Sequence, residues 1–365
     1  MTIYIALLAL CVLTAVGELT GAKARTPILI LAVAVLATIA GFRGGDVDRD
    51  HVLYTGAAEH IESAILNFQG FREFMSQSSL EPTFLLIVAI TVLLGLSINY
   101  LFVFYAVISL SAKIRAFYAL TPLPAVALAI HVSRFYLLHE MTQIRASVAI
   151  AFVLLALWQW TEGRRRAATF LWVIALSFHT SALLALILPF LSGNRPVSRL
   201  WLFAPWAALA AALAGVTADL VLVEVATRVG LGKIAIYIQQ LQPDVSSDIN
   251  VLSPIFLVAT LTSSLLILMQ RAILFPGSSA VSAILRVYAV APCIFYLFSG
   301  FPVLAYRAAE LLLAVQPIAL SYFCAIPRVR SAALASTIVL CFAQMLYSLY
   351  VLELIAPYDT FLGNN

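Results

Sequence analysis

Apolar runs long enough to cross a bilayer follow one another along this chain with only short polar intervals, and this constrains the fold more than any other feature. In hydrocarbon every backbone N–H and C=O needs an internal partner, so a lipid-facing segment is either a helix or part of a closed barrel. Long unbroken apolar runs select helices. Of 365 residues 63% are hydrophobic, with only 21 Lys+Arg and 17 Asp+Glu, and the mean hydropathy is +1.03. At roughly 20 residues per crossing, this is material for about ten or eleven spans. A soluble globular chain is excluded. The expected fold is an all-α integral membrane protein, a polytopic bundle of about 10 to 12 transmembrane helices. Short re-entrant or half-helices and an external amphipathic helix complete it, as a single membrane domain over residues 1–365.

The net charge of +4 is scattered in ones, twos and a single triplet, the pattern of topology signals rather than of a nucleic-acid surface. Cys11, Cys293, Cys324 and Cys341 lie in apolar runs without a C-x-x-C pair, which indicates neither a disulfide framework nor a zinc site. No basic residue precedes the first run, so residues 2–17 are expected to stay as a helix rather than be cleaved as a signal peptide.

Candidate spans are residues 2–17, 27–42, 99–111, 117–131, 142–161, 200–216, 251–269, 281–298, 305–323 and 332–352. One side can hold the loops with Lys23, Arg25, Lys113, Arg115, Arg164, Arg165, Arg166, Arg195, Arg199, Arg271, Arg328 and Arg330. That gathers 12 of the 21 basic residues with only Glu18 and Glu162, leaving 15 acidic residues on or near the other face. The positive-inside rule assigns these faces to cytoplasm and exterior. The orientation requires residues 84–96 to be a half-helix or tilted external segment broken near Gly95 and Asn99. Residues 167–191 have two forms open to them: a hairpin of two short helices tipped by Phe178-His179-Thr180-Ser181, or one span with His179 near its middle. Polar external segments are then 43–82, 132–141, 218–250, the turn around Gly300 and the tail from Ala356. Residues 220–242, where Glu224, Arg228 and Lys233 interrupt apolar sequence, read as an interfacial amphipathic helix.

Charge within or at the edge of a membrane is costly, which makes Arg43, Arg134, Arg145, His179, Arg286, Arg307 and Glu310 functional candidates. Arg307 and Glu310, three apart on one helical face, equally suit a structural ion pair. Arg145 follows Gln143 near the start of an apolar helix that contains no acidic residue. Arginines gathered at one membrane face suit a lipid diphosphate, because the guanidinium fork stays charged and binds phosphate oxygens bidentately. Snorkelling to headgroups is the plain alternative for Arg134 and Arg145. Asp46-Val47-Asp48 has the form of the D-x-D of nucleotide-sugar enzymes, but the chain has no βαβ pattern or phosphate loop, and no metal site is assigned. Asp46, Asp48 and Asp50 suit either a solvated loop or a divalent ion. His51, His60, His131, His139 and His179 show no i,i+4 pair. His179, among Ser177, Thr180 and Ser181, suits either a base for a hydroxyl nucleophile or a satisfied core histidine.

Met141-Thr142-Gln143-Ile144-Arg145-Ala146-Ser147-Val148-Ala149-Ile150 is followed, after a basic loop, by Ser177-Phe178-His179-Thr180-Ser181-Ala182-Leu183-Leu184. This pairing resembles the EpsG family of Wzy-like polysaccharide polymerases, with its I-R-Q-x-x-A-x-A helix, Lys/Arg-rich loop and H-x-S-A-L segment. Further pieces keep the family's order: Arg43, Gly45, Asp50 and Tyr54; Glu81-Pro82; Lys233 and Tyr237; Arg307; and Pro357-Tyr358. The family's Gln after the arginine is Ala146 here, and two additional aspartates precede Asp50.

The resemblance covers nearly the whole chain. It implies a polymerase of bacterial surface polysaccharide (O-antigen, capsule or exopolysaccharide) in the inner membrane, with its active site facing the periplasm or exterior. Donor and acceptor would be oligosaccharide repeat units on undecaprenyl diphosphate. Membrane lipid and a chain-length regulator would be further partners, with no cofactor, metal or nucleic acid. Arg145 and Arg307, with Arg43 or Arg134, would hold the diphosphate. His179, Asp50 or Glu310 would carry the catalytic proton chemistry, and Tyr54, Gln143, Tyr237 and Tyr358 would meet sugar. A flippase for the same lipid-linked sugar, an O-antigen ligase and a membrane acyltransferase are the rival classes.

Overall fold

The computed structural model describes residues 1–21, 25–67, 81–193, 195–218, 224, 228, 249–273 and 278–363. Among them there is no β-strand, only the isolated bridges Arg43 to Thr360 and Asp48 to Ile355. The helices fall into two compact units, Met1–Ala185 with Leu320–Asn365, and Leu186–Ala319. Most of residues 220–242, where the amphipathic helix is expected, lie outside the described residues.

The first unit contains α1 (Thr2–Leu19), α2 (Arg25–Gly41), α3 (His51–Leu66), α4 (Pro82–Leu93), α5 (Tyr100–Leu120), α6 (Pro124–Phe135), α7 (Ile144–Thr161) and α8 (Arg165–Phe178). The second contains α9 (Leu188–Leu191), α10 (Leu200–Leu213), α11 (Pro254–Met269), α12 (Ser278–Leu297) and α13 (Pro302–Leu313). After α14 (Gln316–Cys324), the chain ends with α15 (Arg330–Tyr350) and a tail in the first unit.

Among the described residues six helices are long and apolar enough to cross a membrane, or seven if α13 and α14, bent by 43°, form one span. Four more apolar helices, among them Pro82–Leu93 and Leu200–Leu213, are shorter. This makes the chain a helical membrane protein, but the described helices do not reach the ten to twelve full spans read from the sequence. Part of the difference has a local cause. The expected span 99–111 and the first residues of 117–131 form one helix, α5, which runs through Lys113 and Arg115 and stops at Thr121-Pro122-Leu123-Pro124, where the rest of 117–131 begins α6. Proline lacks an N–H and restricts the residue before it, so the prolines rather than the charges end the helix. Lys113 is 2% exposed and faces inward, whereas Arg115 is exposed, 4.9 Å above the Trp158 ring that Arg164 also covers at 5.2 Å.

Lys113 is affordable inside because Glu140 meets it. Glu140 ends a π-helical turn, Tyr136–Glu140, between α6 and α7. Its Oε1 takes an ion pair from Lys113 Nζ and hydrogen bonds from Ser109 Oγ at 3.1 Å and Ser147 Oγ at 3.0 Å. Its Oε2 lies 3.1 Å from His131 Nε2. One carboxylate thus joins α5, α6 and α7, where each removed partner would leave a buried polar group uncompensated. Glu18, at the end of α1, serves α6 instead. Its Oε2 accepts the N–H groups of Ala125 at 3.1 Å and Val126 at 3.2 Å, filling donors that a helix start leaves open. Close backbone approach fixes the neighbouring pair: a Cβ on Gly41 of α2 would sit 2.8 Å from Val103 Cα of α5.

α8 stops at His179, whose backbone is extended (φ −161, ψ 131), and Thr180–Ile187 is a 3-10 helix. Trp172 Nε1 donates to Ala182 O at 2.8 Å. Ten residues of straight helix span about 15 Å, so this bond requires a sharp turn at His179. The straight single span considered for 167–191 is corrected accordingly.

In the second unit Arg286 of α12, a candidate for function on sequence grounds, holds backbone instead. It donates to Leu191 O at 3.0 Å, Gly193 O at 3.4 Å and Arg195 O at 2.7 Å.

Glu140→Ala is expected to destabilise the first unit by about 3–5 kcal/mol, the cost of stranding a buried charge. The double variant Lys113→Met/Glu140→Ala should lose less than the sum of the single losses. Thermal unfolding in detergent checks both.

Candidate functional site

One end of the first unit gathers the start of α3, α4, α5 and α7, the end of α2 and the C-terminal tail. The loop after α2 places Arg43 wholly inside, 0% exposed. Its Nε donates to Asp48 Oδ2 at 2.6 Å and its Nη1 to Ala40 O at 2.6 Å, with the guanidinium 4.3 Å above the Phe102 ring. Asp48 Oδ1 accepts the Asp50 N–H at 3.1 Å, and His51 stacks on Phe102 at 4.2 Å, its Nδ1 3.8 Å from Asp48 Oδ2. The tail clamps this loop from outside: Gly44 N–H donates to Asp359 O at 2.9 Å, and Ala356 N–H to Val47 O at 2.8 Å.

A second arginine–carboxylate pair stands beside the first. Pro82 opens α4 at the position where a missing N–H costs nothing, which makes Glu81 its N-cap residue. The Glu81 carboxylate pairs with Arg145 Nη1 in the first turn of α7. Arg145 lies 5.4 Å from the Tyr54 ring centre and 5.6 Å from that of Phe84, with its side chain 24% exposed. Tyr54 and Phe102, 6.3 Å apart, join the two pairs into one cluster. The turn at His179 lies alongside, since Thr83 Oγ1 donates to Ser177 O at 2.5 Å and Phe178 packs on Tyr105 at 5.9 Å.

The candidates read from the sequence are distributed unevenly over this geometry. Arg43, Arg145, Tyr54, Asp50 and Tyr358 share the cluster's end of the unit. Asp50 is the residue at the N-cap position of α3, and Tyr358 meets Tyr4 edge-on at 6.3 Å. Gln143 is the N-cap residue of α7, two positions before Arg145. Arg43 is sealed by Asp48 and Phe102, and Arg134 is buried on α6 with its guanidinium 5.1 Å from the Phe135 ring. Neither presents a guanidinium face to an incoming ligand. His179 Nδ1 accepts the Ser181 N–H at 3.1 Å and lies 2.7 Å from Ser181 Oγ. Arg307, exposed, and Glu310, half-buried, lie on α13 of the second unit, and Tyr237 lies outside the described residues.

Sequence reasoning missed Glu81, Asp48 and His51 as site residues. Arg145, whose own helix has no acid, finds one on α4. Asp46 and Asp48, the ends of the D-x-D, point apart in environment: Asp46 is exposed, whereas the Asp48 side chain is 0% exposed and committed to Arg43. The signal for Glu81 was its proline neighbour, which marks a helix start and so fixes the carboxylate. Asp48 has no sequence signal that separates it from Asp46 and Asp50.

The family model described as the EpsG family matches residues 27–360. No curated protein matches the chain, and no solved structure does.

Burial, and then the nearby Arg43 guanidinium, lower the His51 pKa below its ordinary value, against a weaker opposing pull from Asp48. The unfolded chain therefore binds a proton that the folded one resists, and stability is lost as pH falls below about 6.5. Thermal unfolding between pH 8 and pH 5 should show a smaller acid loss for His51→Asn than for the unaltered protein.

Proposed function

The chain belongs to the EpsG family, and we propose that it is a Wzy-type polymerase of bacterial surface polysaccharide acting at the outer face of the cytoplasmic membrane. Its donor and acceptor are oligosaccharide repeat units on undecaprenyl diphosphate. In this reading the shorter apolar helices complete the bundle beside the longer spans, and the end bearing Asp46, Glu81 and Glu353 faces outward. The opposite end carries Arg115, Arg164 and Arg165 against Trp158 and Trp160, the signature of a cytoplasmic interface.

The observation that carries the proposal is Arg145. It is a partly exposed cation in the first turn of an 18-residue helix, above two aromatic rings, and it already holds an oxyanion, the Glu81 carboxylate. Helix N-terminus and guanidinium together favour negative charge at this point. A lipid diphosphate arriving there takes Glu81's place on the fork. The acceptor hydroxyl oxygen then bonds to the donor's anomeric carbon, and the bond from that carbon to the diphosphate oxygen breaks. Negative charge develops on the departing diphosphate, where Arg145 stabilises it. The hydroxyl proton passes to a carboxylate; Glu81, freed from Arg145, is the one the cluster holds nearest. Tyr54 and Phe84 exclude water from the grip and offer ring faces to it.

Arg145→Ala should lower polymer formation by about 10²–10³-fold, the usual cost of a dominant transition-state contact, while folded protein persists in the membrane. Arg145→Lys should recover little of it, because a point charge does not replace the fork. Supplying purified protein with a lipid-linked repeat unit reads both, as a ladder of products. Full-length ladder from Arg145→Ala overturns the role of this residue. Transbilayer movement without new bonds makes the protein a flippase, and one transfer to a different lipid makes it a ligase.

A further inference from the structure

The loop and tail that clamp Arg43 and Asp48 also enclose an open hollow of about 590 Å³ on their outer side. Asp46, Arg49, Tyr350, Glu353 and Leu354 line it, with Val52 from the first turn of α3. Two backbone links and one side-chain bond hold its two walls together: the bridge of Asp48 to Ile355, Ala356 N–H to Val47 O at 2.8 Å, and Arg49 Nη2 to Glu353 O at 3.4 Å. The hollow is therefore built into the fold rather than left between loose segments. Its size falls within the roughly 300–1,000 Å³ of small-ligand sites.

The lining selects a ligand class. Carboxylates at Asp46 and Glu353 share the lining with Arg49 and Met1, so the hollow mixes both signs of charge and offers no concentrated cation to a diphosphate, which is better placed at Arg145. Both signs of charge on one rim provide acceptors and donors for adjacent hydroxyls, while Tyr350, Leu354 and Val52 provide an apolar surface. A saccharide has this two-sided character, with hydroxyl edges and C–H faces. We propose that the hollow binds the non-reducing end of the acceptor glycan, a site separate from the diphosphate grip. The assignment to acceptor rests on the polymerase reading above; the assignment to saccharide rests on the hollow. Asp48 lines the hollow and, on its other side, holds Arg43 and approaches His51. A glycan seated there is thus one loop away from the cluster that contains Tyr54 and Arg145.

The probe is the lipid-free repeat-unit oligosaccharide released by mild acid from the host's own surface polysaccharide. Its binding to the purified full-length protein in nanodiscs is followed by saturation-transfer NMR. The unaltered protein should bind it, and Asp46→Asn/Glu353→Gln, which keeps side-chain shape, should weaken binding at least tenfold. Leu354→Trp, which fills the hollow without changing charge, should do the same, and Arg145→Ala should bind as the unaltered protein does. In the ladder assay the hollow variants should raise the acceptor KM more than they lower kcat. Absence of binding by the unaltered protein, or binding by both hollow variants as strong as that of the unaltered protein, overturns the proposal. Binding that depends on the hollow in a protein that forms no ladder supports the saccharide site while overturning the polymerase reading, so the two failures are distinct.

Discussion

A carboxylate removed from water needs several donors at once, and Glu140 finds them only by drawing three helices together. Lys113 comes from α5, His131 from α6 and Ser147 from α7, with Ser109 completing the shell. In a chain this apolar, packing alone discriminates poorly between one helix pairing and another, because lipid is as good a solvent for Leu and Val as a neighbouring helix is. A buried charge network is satisfied in one arrangement and unsatisfied in the rest. It fixes the register of α5 against α7, and with it the height at which Arg145 emerges beside Tyr54 and Phe84.

The same rule organises the end that carries Arg145, with a different result. Arg43 and Asp48 are closed off by Phe102 and by the tail, so their pair works as a post that holds the loop after α2 in place. Arg145 and Glu81 keep partial exposure, with side chains 24% and 10% accessible. An exchangeable partner at a helix N-terminus, with aromatic rings beneath it, is chemically distinct from a sealed one. The structure thus separates two arginines that look alike in the sequence: one maintains the site's shape, and the other is available to an anion. Arg286 shows a third use, a guanidinium whose two terminal nitrogens bond backbone carbonyls.

The class of protein, its helical character and the family were legible from residue order, because apolar runs and the spacing of Arg43, Glu81, Arg145 and His179 are properties of the chain itself. The polar residues around His179 left two forms open for 167–191, and the turn there was decided only by the structure. Lys113 misled for a physical reason. A lysine between apolar runs has the same appearance whether water or a carboxylate 27 positions away neutralises it. The sequence therefore determined that charges at membrane depth would have to be matched, and that a membrane protein of this family would result. Which carboxylate matched which cation was decided only in three dimensions. Ion-pair partners such as Glu81 and Arg145, 64 positions apart, carry no mark of each other until the fold brings the start of α4 beside the start of α7.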